Sequence, residues 1–85
     1  MPNPAQGYFD GMLKAAFGVT IISGNAAEWQ IDAVKERASK LKEDEINHSL
    51  LSSEDKEIQI RQWKEWINAY ADGFKDVLRQ SGRMY

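Results

Sequence analysis

Only one side chain in this chain of 85 residues is of the type ordinarily used as a general base, and that is His48. A nucleophile–base pair needs such a group, and Ser49, Ser52 and Ser53 lie close to it in sequence. Their positions fit helix capping better than hydroxyl activation, because Glu54 and Asp55 follow them as acids follow an N-cap. His48 also sits among Glu43, Asp44, Glu45 and Asn47, and an imidazole with carboxylates can hold zinc. A second soft ligand is missing, however, and these carboxylates are consecutive rather than spaced around a cation. The stronger reading is a solvated helix end. There is no calcium loop of alternating acids and no glycine-rich phosphate loop behind a strand. With no cysteine, disulfides, iron–sulfur clusters, thiolate zinc sites and thiol nucleophiles are excluded. The expectation is a chain that is not an enzyme and holds no cofactor, metal or small-molecule substrate.

The aromatic side chains are the next candidates. Trp63, Trp66, Tyr70 and Phe74 recur at three- and four-residue steps, which is helical spacing. Aromatics so spaced are more often core than a ligand box, and Trp63, Tyr70 and Phe74 are assigned to the core. Trp66 lies about 60° from Trp63 around the helix. It stands at the stripe's edge beside the small Ala69 and Gly73, with uncharged Gln59 and Gln62 on the same flank. A large ring bordered by small, uncharged residues is the composition of an interface centre, where tryptophan is enriched among hot spots. Trp66, Gln59, Gln62, Ala69 and Gly73 therefore form the candidate partner-binding flank. Trp29, off the main stripe of its own helix and roughly opposite Val34, is the second candidate. The competing reading is that the first helix simply covers Trp66.

The element that must position these residues is Ser53–Gln80. Ile60, Trp63, Ile67, Tyr70, Ala71, Phe74, Val77 and Leu78 fall on one side of it, with Arg61, Glu65, Asn68, Asp72, Lys75, Asp76 and Arg79 opposite. Ser52 or Ser53 caps its start, and Gly82 suits the left-handed position after its end. Such a stripe cannot be buried alone, so the rest of the chain must cover it. Upstream, Ala27, Ile31, Val34, Ala38 and Leu41 mark a second helix capped by Asn25, after a break at Ser23-Gly24-Asn25. Its period fails beyond Leu41, so a change of direction is expected between Glu43 and Ser53. A first helix is expected from about residue 5 to 22, with Phe9, Leu13, Ala16, Phe17 and Thr20 as its stripe. Gly7, Gly11 and Gly18 weaken it, and the β-branched run Val19–Ile22 favours extended backbone, leaving 18–24 open between helix and strand. Pro2 and Pro4 point to a short extended arm at residues 1–4, or alternatively to Pro4 opening the helix after Asn3 as cap.

Composition sets the remaining bounds. A chain of this length makes one domain, residues 1–85, with a thin core. Charged residues are 28% and the net charge is −2, against a generic polyanion binder. A short basic run, Lys35, Arg37, Lys40 and Lys42, is interleaved or followed by acids, so nucleic acid is an unlikely partner. Residues 12–27 mimic a signal peptide, but Pro2–Gly11 precede them without a positive side chain, and a cleaved leader is not expected. No run reaches the ~18–20 apolar residues of a membrane span, and a cytoplasmic location is expected.

The stretch Ser53-Glu-Asp-Lys56 followed by Trp63-Lys-Glu-Trp66 resembles the late helical part of phage tail-fibre assembly proteins. There an acidic helix start precedes a Trp-Lys-x-aromatic motif. The likeness covers under a third of the chain and lacks that family's proline/tryptophan tail; it implies a phage or prophage helper. Together these readings predict an all-α three-helix bundle with a long C-terminal helix as its central element. Its expected role is a non-catalytic adaptor, assembly factor or inhibitor that binds another protein or itself as a homo-oligomer. The alternative is a small helix-turn-helix regulator, with Asn25 to Leu41 as recognition helix.

Overall fold

The computed structural model describes residues 3–21 and 28–82, with the side chains of 16–21 left aside. Three helices follow in order, α1 (Pro4–Ile21), α2 (Glu28–Asn47) and α3 (Ser53–Gln80), and no strand occurs among the described residues. The longest, α3, contacts both of the others, whereas α1 and α2 do not meet among the described residues. No helix of the described residues is long and apolar enough to cross a membrane.

Local chemistry sets the helix ends. At the start of α1, Asn3 caps: its Oδ1 accepts from the Ala5 amide at 2.9 Å and its carbonyl from the Gly7 amide at 2.9 Å. Pro4 is thus the first helical residue, where its missing N–H costs nothing. The helix then runs to Ile21, so Val19–Ile21 are helical despite their branching; the Ser23–Asn25 break lies outside the described residues. α2 ends at Asn47, and a turn at 48–50 makes the change of direction expected between Glu43 and Ser53. Ser52, extended at φ −64° and ψ 161°, caps α3 by accepting from the Asp55 amide at 3.2 Å. Gly82, at φ 71°, takes the left-handed position after the end.

α1 packs on α3 through its smallest residues. A Cβ on Gly7 would stand 2.7 Å from the Trp66 carbonyl oxygen, and one on Gly11 would overlap the Tyr70 carbonyl. From the other side, a Cβ on Gly73 would overlap the Tyr8 carbonyl. Gly7 and Gly11 thus lie against the backbone of α3, and the fully buried Ala15 continues their i, i+4 row. Two residues of the stripe expected to face inward are turned out, Phe9 at 56% and Leu13 at 46% exposed. Glycines that look like helix-weakening residues in sequence are the surface that brings the two backbones together.

α2 lies across α3 from α1 and is joined to it by charge. Lys75 of α3, expected on the arc opposite the stripe, is instead buried against α2, where it bonds Asp32 at 2.5 Å and stands 3.6 Å from Glu28. Arg79 bridges Glu28 at 3.2 Å and Asp76 at 3.4 Å, and the Tyr8 hydroxyl donates to Asp76 at 2.5 Å. This chain of contacts ties all three helices together at one end. Toward the other end Glu43 pairs with Lys64 at 3.3 Å, and the Lys42 ammonium sits 4.2 Å above the Trp63 ring. The order of these pairs makes α2 antiparallel to α3.

Candidate functional site

The residues first considered for chemistry are engaged in local backbone contacts. His48 Nδ1 lies 2.7 Å from the Asp44 carbonyl oxygen, a contact that requires Nδ1–H as donor. Ser49 Oγ donates to the Ile46 carbonyl at 2.5 Å. Ser52 is the α3 cap described above. Among the described residues no group of three histidine, aspartate or glutamate side chains converges on one point.

The candidate partner-binding residues are divided between two settings. Gly73 is buried, and the shallow depression expected beside it is filled by the backbone of Tyr8 and Met12. Trp66 is half-buried: its indole edge lies next to Gly7 of α1, and its ring stacks at 5.2 Å on Tyr70 and edge-on at 5.7 Å to Trp63. Ala69, Gln59 and Gln62 are also half-buried, and Gln62 Oε1 is buried without a hydrogen-bond partner among the described residues. Trp29 stands apart on α2 and is 70% exposed. Of the flank, Gly73 and one edge of Trp66 lie against α1, and Trp66 also lines an open surface.

That open surface is a groove of about 470 Å³ between α2 and α3. Its α3 wall is Trp66, Ile67, Tyr70, Ala71 and Phe74, the centre of the apolar stripe. Its α2 wall is Gln30, Ile31, Val34, Lys35 and Ala38. The groove exists because α1 and α2 take opposite flanks of α3. Stepping about 100° per residue, the α1 contacts Trp66 and Gly73 and the α2 contacts Ala71 and Lys75 fall on opposite sides of the α3 axis. Trp63, Ile67, Tyr70 and Phe74 point between them and are all half-buried. Val34 and Leu41, expected in the α2 core stripe, are 68% and 61% exposed. No large side chain among the described residues is fully buried.

Sequence reasoning assigned Ile31, Val34, Ala38, Ile67 and Phe74 to a closed core and so missed them as groove walls. A signal was present: two short helices had to cover a stripe of eight apolar residues, and one of them carries glycines where its contact side chains should be. No protein-family model, curated protein or solved structure matches the chain. The phage tail-fibre resemblance is therefore a likeness of one short motif.

Proposed function

We propose that this chain is a non-catalytic protein-interaction module that uses the α2–α3 groove to hold an apolar segment of another polypeptide. The observation that carries the reading is the open groove itself: the strongest apolar stripe in the chain lines a trough instead of a sealed core. Exposed apolar surface in one contiguous trough is the composition of an interaction site. Trp66 and Tyr70 supply rigid rings of the kind that anchor interfaces. The charge arrangement gives less support to the nucleic-acid alternative. Two of the basic residues on α2 face carboxylates of their own helix, Lys35 at 3.7 Å from Asp32 and Lys42 at 3.5 Å from Glu45.

The test is a photo-crosslinking residue placed at Val34 on the groove wall, and in a second variant at Glu65 on the opposite arc of α3. In the cell that makes the protein, position 34 should give a discrete protein adduct and position 65 should not. No adduct at 34, or equal labelling at both positions, would defeat the reading.

A further inference from the structure

Resting on that reading, we propose that the segment filling the groove is a second copy of this chain. Two copies meet across a two-fold axis, with their α3 helices antiparallel and each groove closed by the other's Trp66–Phe74 face.

Area is the first argument. The chain exposes 5953 Å², where a compact monomer of 9.7 kDa scales to about 5,100 Å². The excess of about 800 Å², a figure for the whole chain, matches in size what one partner contributes to a standard-sized interface. The radius of gyration points the same way, at 14.3 Å against about 12 Å for a compact chain of this length.

Charge is the second. An isologous contact sets a patch against itself, so a face of a single charge sign would repel its own copy. The α3 wall of the groove has no charged side chain, and the α2 wall has only Lys35, which faces Asp32. A partner selected by charge complementarity would find little here to read. A copy of the same uncharged, aromatic face finds nothing to oppose it.

Orientation follows from the ends of α3. Its first turns carry Glu54, Asp55 and Glu57, and its last turn carries Arg79. A parallel pair would bring two acidic starts together at two positive dipole ends. An antiparallel pair brings each acidic start toward the other copy's basic end. Val34 then stands at the groove mouth, covered by the partner.

The experiment is mass by light scattering on the purified full chain from 1 to about 200 µM, a range that spans weak to firm association. The wild type should move to twice the chain mass. Val34→Glu should weaken dimerisation at least tenfold while its helical circular dichroism is kept. Ala33→Glu, on the exposed face beside it, should leave dimerisation unchanged. Spin labels on Glu57→Cys should lie about 40 Å apart in an antiparallel dimer centred near Tyr70, and within about 15 Å in a parallel one. A wild type that stays monomeric throughout, a dimer indifferent to Val34→Glu, or the shorter label distance would overturn the proposal. If the purified chain is monomeric and the position-34 crosslink in cells joins a different protein, the second-copy inference falls while the interaction module stands. A monomer that gives no crosslink removes both.

Discussion

Gly11 decides how close α1 can come to α3. A methyl group there would overlap the Tyr70 carbonyl, and backbone cannot move aside as a flexible side chain can. On an isolated helix Gly→Ala gains up to about 1 kcal/mol. Here the overlap should outweigh it, since forcing atoms into a packed contact costs about 1–3 kcal/mol. Gly11→Ala should therefore lower the urea midpoint, and a raised midpoint would show that the two backbones are further apart. A second residue-scale effect is electrostatic. The Lys75 ammonium bonded to Asp32 lowers that carboxyl below its usual 3.8, against a partial upward push from burial. The same bond raises Lys75 above its usual 10.5, with burial opposing. A lowered acid stabilises above its unfolded value and loses this as pH falls through the folded one; a raised base stabilises below its unfolded value and loses this as pH rises through the folded one. The pair is thus fully stabilising between 3.8 and 10.5. The stability gap between wild type and Asp32→Asn should be flat across neutral pH and close as pH falls below 3.8. A gap that persists at pH 2 would assign the loss to packing instead of charge.

At the scale of elements, two leucines of equal hydrophobicity have opposite surroundings. Leu78 on α3 is buried, and Leu41 on α2 is 61% exposed. Leu78→Ala should cost about 2–5 kcal/mol, and Leu41→Ala less than about 0.5 kcal/mol, by chemical denaturation. Equal costs would mean that α2 sits in a different rotation. Periodicity alone places both leucines in a core, and this marks the limit of what could be read from residues. The helices themselves were legible because caps, charges and stripe agree along α3: Ser52, Glu54 and Gly82 all stand where local chemistry wants them. The rotation of α1 was not, because a hydrophobic stripe is taken to point inward and Phe9 and Leu13 do not. Helix contacts made by glycine gain from backbone approach, which no scale of side-chain hydrophobicity counts. The groove was hidden for a related reason. Whether two flanking helices leave a third face open depends on the angle between them around α3, and spacing within each helix does not contain that angle. Trp66, expected at the margin of the stripe, lies between α1 and the groove, and Gly73, paired with it on composition, is beneath Tyr8.

For the whole molecule, the proposed contact between two copies makes stability and association one quantity. With no large side chain sealed inside one copy among the described residues, the proposed dimer would realise part of the hydrophobic free energy of α3 only on filling the groove. Anything that binds the folded chain and not the unfolded one stabilises it by mass action, and a second copy does so in proportion to its own concentration. A hundredfold rise in concentration supplies about 2.7 kcal/mol per dimer, shared between two protomers. For domains of this size that corresponds to roughly 5–10 °C in Tm. Thermal unfolding followed by circular dichroism should therefore move upward by that amount between dilute and concentrated wild-type samples. Val34→Glu should abolish the dependence and set Tm at the dilute wild-type value, because Val34 is already solvent-exposed in one copy and its replacement removes nothing from the isolated fold. Gly11→Ala should behave in the opposite way, lowering Tm at every concentration and leaving the slope intact, since it acts within the protomer. A Tm independent of concentration in the wild type would mean that α1, α2 and α3 are sufficient to stabilise the open face on their own.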